Sequence, residues 1–139
     1  MSIPYVKFTS ETSFSPEQVA AKIEIHPIDH VEISAGSTAV LTCIGYGVPL
    51  PILYWSRGAT KLTNNSHLII AKDITMEDDS GVAVVKSSME ICSSRLIDAG
   101  IYSCTAANNI GNDSFTFTLT VKTEKGRVLV LLLFIVQGL

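Results

Sequence analysis

Hydrophobic and polar residues alternate along much of this chain, in short runs that Gly, Pro, Asn or Asp interrupt about every 8–12 residues. The clearest run is FTFTLTV at residues 115–121, where four apolar side chains alternate with three threonines. STAVLTC (37–43) and ILYW (52–55) repeat the pattern. A period of two predicts strands with one face buried, and no stretch keeps a helical period. We therefore predict an all-β sandwich or barrel.

The same pattern predicts the organisation of the chain. We predict a flexible N-terminal segment or linker over residues 1–20, one domain over 21–124 and an apolar C-terminal tail over 125–139. Residues 71–82 are polar and acidic and end in DDSG, so we predict a loop there. Strands are predicted at about residues 22–26, 30–34, 37–45, 51–57, 60–62, 67–71, 82–92, 100–107 and 113–122.

Charge and motif content argue against nucleic-acid binding and catalysis. The net charge is -3, and the ten basic residues are scattered, so no basic surface for phosphates is expected. The acidic residues between Asp73 and Asp79 lack the spacing of a calcium loop. The three histidines, His26, His30 and His67, show no metal-ligand spacing, and no phosphate-binding or nucleophile motif occurs. We predict no enzyme, no catalytic residue, no metal and no cofactor.

Three cysteines occur, Cys43, Cys92 and Cys104, and none forms a CxxC pair. The simplest arrangement is one disulfide plus one odd thiol, which favours an oxidising compartment. Cys43 and Cys104 fall on inward positions of predicted strands. Cys92 follows the inward Ile91, so it should point outward or end its strand, as a partly shielded free thiol or in an intermolecular disulfide.

The stretch DAGIYSC (98–104) predicts a local fastener rather than a chemical site. Tyr102 and Cys104 share a face, so the tyrosine ring should lie inward and its hydroxyl needs a hydrogen-bond partner. A carbonyl at the preceding corner is within reach. Gly100 permits the turn, and Asp98 can accept hydrogen bonds that hold it. We predict a tyrosine corner.

These residues, with two further motifs, resemble the immunoglobulin superfamily, specifically its I-set or C2-like domains, over about residues 22–122. GVPLPILYW resembles the approach to strand C, SMEICSSRLIDAGIYSC the E strand to the F strand, and CTAANNIG the end of strand F. The resemblance implies an immunoglobulin-like β-sandwich of two antiparallel sheets. It further implies one intersheet disulfide, Cys43–Cys104, with Trp55 packed against it.

Two departures from the family pattern stand out. I-set domains often carry an arginine near the start of strand D that pairs with the corner aspartate, and His67 stands at about that place here. The stretch between Leu62 and Met89 is longer than usual by about eight residues.

Sequons and the C-terminus bear on location. NNS at Asn64 and NDS at Asn112 are candidate N-glycosylation sites in predicted turns. Nine apolar residues, 128–136, are too few to span a bilayer, which needs about 20. They suit a truncated transmembrane helix, a noncoding or alternatively spliced end, a lipid-anchor signal or a packing segment. Membrane contact is expected only through this tail. No signal peptide opens the chain, so an extracellular location implies a fragment.

The function predicted is non-catalytic protein–protein recognition or adhesion, by a module of a cell-surface or extracellular-matrix immunoglobulin superfamily protein. The partner is a protein, such as another immunoglobulin-like domain. Candidate contacts are the loop GYGVPLP (45–51), the turn NNIGND (108–113), Ile52 and Tyr54. One alternative is a structural module of an intracellular muscle or cytoskeletal protein, which would be cytoplasmic. Another is the ligand-binding module of a receptor or matrix enzyme.

Overall fold

The computed structural model describes residues 17–24, 28–79 and 81–123 of the chain. The predicted apolar tail, residues 125–139, lies outside the described residues. Residues 1–16 of the predicted N-terminal segment do so as well. Within the described residues the chain forms strands and one short 3-10 turn, Leu96–Asp98. The strands are β1 (Val19–Ile23), β2 (His30–Ser34), β3 (Ala39–Val48), β4 (Ile52–Arg57), β5 (Thr60–Lys61), β6 (Leu68–Ile70), β7 (Ile74–Glu77), β8 (Ala83–Ile91), β9 (Gly100–Ala107) and β10 (Asn112–Lys122).

The strands form two sheets. Sheet 1 has the order β1-β3-β8-β6, and β7 pairs with another part of β8, so that β6 and β7 both lie along the same side of that strand. Sheet 2 has the order β2-β10-β9-β4-β5. All pairs are antiparallel but one, because β2 runs parallel to β10, with Val31 opposite Leu119. The arrangement confirms the predicted all-β, two-sheet, immunoglobulin-like sandwich.

The core lies between the sheets and is pinned by a disulfide. Cys43 of β3 is bonded to Cys104 of β9, with their Cα atoms 6.6 Å apart and a sequence separation of 61 positions. Closing a loop of that length stabilises the fold by about 4 kcal/mol in the loop-entropy model. Trp55 lies opposite Cys104 in the neighbouring strand and is 1% exposed. Its indole N–H donates to Ser87 Oγ of the other sheet at 2.9 Å.

A corner of hydrogen bonds precedes β9. The Tyr102 hydroxyl donates to the Asp98 carbonyl oxygen at 2.6 Å, and burial of the phenol raises the Tyr102 pKa. The Arg57 guanidinium lies 5.1 Å from the Tyr102 ring centroid and donates to the carbonyls of Ile97 and Ala99 at 2.9 and 2.6 Å.

Gly100 makes room for that guanidinium. Its φ is +148°, and a Cβ there would stand 3.1 Å from Arg57 Nη2. Any other residue would therefore be strained in its backbone and would press on the arginine that closes the corner. This is the structural reason for a glycine at the start of the tyrosine-bearing strand.

The Asp98 carboxylate holds the corner from the other side. Its Oδ2 accepts the Arg95 backbone N–H at 2.7 Å and lies 2.9 Å from His67 Nε2. Burial by itself raises the pKa of this carboxyl. The hydrogen bonds from Arg95 and His67 and the positive charges of both side chains outweigh it and lower the Asp98 pKa. His67 thus makes the contact that an arginine makes in the family pattern.

The prediction of a loop over residues 71–82 is wrong at Ile74–Glu77. This segment is strand β7, paired with β8 so that Ile74 lies opposite Lys86 and Glu77 opposite Ala83. A turn closes the hairpin, in which the Asp78 carboxylate accepts the Val82 N–H at 2.9 Å and Gly81 has φ +85°. All four residues of β7 are exposed. The pairing supplies the backbone hydrogen bonds, so this edge strand needs no buried face and shows little hydrophobic signal.

The first strand also begins before its predicted position. Val19 and Ala20, assigned to the N-terminal segment by composition, belong to β1. The Asn108 side-chain amide donates to the Val19 carbonyl at 2.9 Å, and Val19 pairs with Val48 of β3. Both partners are distant in sequence, so local composition carries no trace of this strand start.

The two sheets approach each other closely at Gly45. This inward residue of β3 lies where a Cβ would stand 2.8 Å from Leu53 Cδ2 and 3.2 Å from the Ala106 Cβ. Both neighbours belong to strands of sheet 2. Even one methyl group would have to push the sheets apart or displace Leu53.

We expect Gly45→Ala to lower the free energy of unfolding by about 1–3 kcal/mol through this overpacking. Urea denaturation measures it. Because Leu53 carries the closest atom, Gly45→Ala combined with Leu53→Ala should cost less than the sum of the two single changes. A neutral Gly45→Ala, or strict additivity of the pair, would contradict the close approach.

Tyr102→Phe should destabilise the domain by about 1–3 kcal/mol, because it leaves the buried Asp98 carbonyl without its donor. Tyr46→Phe is the matched control, since Tyr46 lies on the outer surface of sheet 1. Chemical denaturation followed by tryptophan fluorescence compares the two variants. Equal unfolding midpoints for Tyr102→Phe and the unchanged protein would show that the corner bond contributes nothing.

Candidate functional site

The loop end of the sandwich consists of residues 49–51, between β3 and β4, and residues 108–111, between β9 and β10. It is shorter than the predicted contact segments, because β3 continues to Val48 and β10 already begins at Asn112. Ala107 lies opposite both Ile52 and Asn112 in the flanking strands. The predicted loop, turn and face residues therefore come together at one end, and the corner of Asp98 and Tyr102 lies at the start of β9, at the other end.

Asn108 ties this end together. Its side-chain oxygen accepts the N–H groups of Ile110 and Gly111 at 3.0 Å each and that of Ala21 at 3.2 Å. Its amide nitrogen donates to the carbonyls of Val19 and Pro49 at 2.9 Å each. One side chain thus fixes β1 and both segments of the loop end. The CTAANNIG motif contains Asn108, but the sequence assigned it no role.

Gly47 leaves space for the Asn108 side chain, which we call the clip because it joins β1 to both segments of the loop end. A Cβ on Gly47 would stand 3.0 Å from Asn108 Nδ2 and 3.1 Å from the Ala21 Cα. Gly111 is similarly close to β1, with a Cβ position 3.1 Å from that of Ala20. The loop end is consequently held in one arrangement before any partner arrives, and a preorganised surface loses less entropy on binding.

The outer face of sheet 2 carries an apolar and aromatic group beside the loop end. Ile52 is 67% exposed, and Tyr54 is half-buried with Lys61 Nζ 5.2 Å from its ring centroid. Much of the rest of this face carries hydroxyl groups, of Ser56, Ser103, Thr105, Ser114, Thr116, Thr118 and Thr120. A second exposed isoleucine, Ile101, lies towards the other end of the face, opposite Thr118. An exposed isoleucine and a tyrosine among hydrogen-bonding groups can contact another protein.

The outer face of sheet 1 carries a second apolar group that sequence reasoning missed. Tyr46, Val84 and Met76 lie side by side across β3, β8 and β7. Ile74 and Val82 are exposed nearby, at 58% and 49%. Ile74 and Met76 alternate with polar residues as strand residues do, but the alternation spans only four residues within a polar, acidic segment that is predicted to be a loop.

The structure places the remaining predicted residues at separate points. Asn64 is exposed between β5 and β6, and its side-chain oxygen accepts the Ile70 N–H at 2.6 Å. Asn112 is exposed at the start of β10. Cys92 is a half-buried free thiol directly after β8, and its backbone N–H donates to the His67 carbonyl at 2.8 Å.

The described residues contain neither a metal-binding cluster nor a membrane-spanning helix. Within residues 17–24, 28–79 and 81–123, no three His, Cys, Asp or Glu side chains converge to hold a metal ion. Among the same residues, no helix has the length and apolar character needed to cross a membrane. Residues 128–136, the predicted apolar run, lie outside the part of the chain that the structure describes.

We expect Asn108→Ala to lower the free energy of unfolding by about 1–3 kcal/mol, because it leaves backbone groups of β1 and of the loop end without partners. Hydrogen exchange at the Ala21 and Gly111 amides should accelerate. Asn109→Ala is the matched control, since this neighbouring asparagine is exposed. Equal stability and equal exchange in both variants would show that the clip does not hold the loop end.

Similar proteins share this domain but are far longer. The vascular endothelial growth factor receptor kdr-like of Danio rerio is 29% identical over 96 residues, 69% of this chain and 6% of that protein. Hemicentin-2 of Mus musculus is 33% identical over 101 residues, 72% of this chain and 2% of that protein. The chain thus spans only a few per cent of the length of these relatives.

Solved structures and a family model give the same result. A chain in the crystal structure of the titin–obscurin-like 1 Ig complex matches with a TM-score of 0.64 at 23% identity, covering 78% of this chain and 99% of that one. At this identity the likeness is one of fold. The model of the immunoglobulin I-set domain matches residues 21–121. With the disulfide, the two-sheet topology and this match, the chain belongs to the immunoglobulin I-set domain family.

Proposed function

We propose that this chain is a non-catalytic recognition module of a cell-surface or extracellular-matrix protein of the immunoglobulin superfamily. The observation that carries the proposal is the exposure of Ile52, at 67%, beside Tyr54 and next to the rigid loop end, on a sheet face with many hydroxyl groups. Burying an isoleucine and an aromatic ring against a partner is favourable, and aromatic residues are enriched at protein interfaces.

The rigidity of the loop end supports this function. Asn108 fixes both loop segments next to Ile52, and β4 and β9 are anchored to the core by Trp55 and by the Cys43–Cys104 disulfide. The titin–obscurin-like 1 Ig complex, by its name, joins immunoglobulin domains to one another. We propose a partner of the same kind, another immunoglobulin-like domain.

An intracellular structural module is the second candidate, favoured by the similarity in fold to titin. The disulfide favours the extracellular assignment, because such bonds form and persist in oxidising compartments. The ligand-binding module of a receptor or matrix enzyme is consistent with the receptor kdr-like relative, and the chain would then be a non-catalytic part of a longer protein. Membrane attachment through residues 128–136 stays a prediction.

Binding of the full chain, made multivalent, to purified ectodomains of immunoglobulin-domain proteins and to itself tests this function. Ile52→Asp should weaken a specific complex at least tenfold, because loss of a hot-spot side chain costs about 2 kcal/mol of binding free energy. Ile74→Asp is the matched control, because Ile74 is similarly exposed, at 58%, on the opposite sheet. Loss of binding in Ile74→Asp with none in Ile52→Asp would contradict the assigned face.

A further inference from the structure

The sequon at Asn112 lies on the same sheet face as the proposed contact residues. Asn112 is opposite Ala107, and Ala107 is opposite Ile52, so the three residues form one row across β10, β9 and β4. Adjacent strands are about 4.8 Å apart, which puts the backbones of Asn112 and Ile52 about 10 Å from each other. The residue between them is an alanine, which leaves the space above the row open.

The Asn112 side chain points away from the core. Its neighbour Asp113 turns inward, where its carboxylate accepts the Ile23 N–H at 2.9 Å, and successive strand residues face opposite sides. Asn112 is exposed, and its side-chain amide makes no hydrogen bond to the described residues. A group added to Asn112 would therefore displace no contact of the fold.

We infer that Asn112 carries an N-linked glycan and that this glycan covers Ile52 and Tyr54, so that its presence controls access to the outer face of sheet 2. An N-linked glycan is bulky and strongly hydrated. Tyr54 lies opposite Thr105, which lies opposite Ser114, so the tyrosine is only one row further along the same face. The natural modification rests on the extracellular location in the proposed function, and its consequence for partner binding rests on the proposed contact face; the shielding by an attached glycan rests on neither.

The modification is a group transfer from a lipid-linked oligosaccharide pyrophosphate, the donor of this class of reaction. A bond forms between the Asn112 amide nitrogen and C1 of the first sugar. The bond between that C1 and the pyrophosphate oxygen breaks, and the lipid pyrophosphate leaves. The amide nitrogen loses one proton, and no group is oxidised or reduced.

The opposite face stays open when Asn112 is modified. Tyr46, Met76 and Ile74 lie on the outer surface of sheet 1, across the full thickness of the sandwich from Asn112. The two faces therefore differ in how they respond to the glycan. This difference provides a control within one molecule, because Tyr46 and Tyr54 are the same residue type on opposite faces.

Occupancy is measured on the full chain, sent through the secretory pathway of mammalian cells by an added signal peptide. Peptide mass spectrometry after enzymatic deglycosylation should find Asn112 converted to aspartate. The Asn112→Gln change should lower the intact mass by that of one glycan. Asn64→Gln is the matched variant and should leave the Asn112 glycan in place. A chain that is secreted folded and carries no glycan at Asn112 would overturn the inference.

Shielding is measured by hydroxyl-radical footprinting before and after enzymatic removal of the glycan. Labelling of Tyr54 should rise at least about twofold on removal of the bulky group, while labelling of Tyr46 stays constant. The Asn112→Gln protein should match the deglycosylated one. Unchanged Tyr54 labelling with an occupied Asn112 would overturn the control of access. Full binding by Ile52→Asp together with shielded Tyr54 would instead overturn the proposed contact face alone.

Discussion

The disulfide between Cys43 and Cys104, covered by Trp55, is the constraint on which the rest of the sandwich depends. It joins the central strands of the two sheets, and the Trp55–Ser87 hydrogen bond crosses the same gap a few residues away. Because β3, β4, β8 and β9 are held at this point, every other strand needs only to add to a fixed edge. Burial of the two inner faces forms the core, and it does not determine which residues occupy either outer face.

Polar side chains fix the two ends that the disulfide does not reach. At the corner, the Tyr102 hydroxyl and the Asp98 carboxylate satisfy backbone groups that the turn before β9 would leave buried. At the loop end, Asn108 does the same for β1 and for the two connecting segments. Asn108 satisfies several backbone groups alone, whereas at the corner Arg57 shares this role with Tyr102 and Asp98. Both ends leave the outer sheet faces free to vary.

Features with a local signal could be predicted from the sequence, and those made by distant partners could not. The alternation at 115–121 predicted β10 closely, and DAGIYSC predicted the donor and the region of the acceptor of the corner bond. Strand β7 has no buried face, so periodicity did not distinguish it from a loop. The bonds of Asn108 join residues up to 89 positions apart, and the parallel pairing of β2 with β10 likewise has no local signature.

The position of β7 at the edge of sheet 1 explains the acidic residues around this strand. An unpaired edge offers backbone groups to any other extended chain, and charged side chains are a usual defence. Glu77 lies within the strand, and Asp73, Asp78 and Asp79 flank it, so two copies pairing edge to edge would bring like charges together. The acidity that resembled a solvated loop in the sequence therefore suits an edge that resists strand addition. Ile74 and Met76 can still be exposed on the adjoining face, because contact with a face does not require the edge to pair.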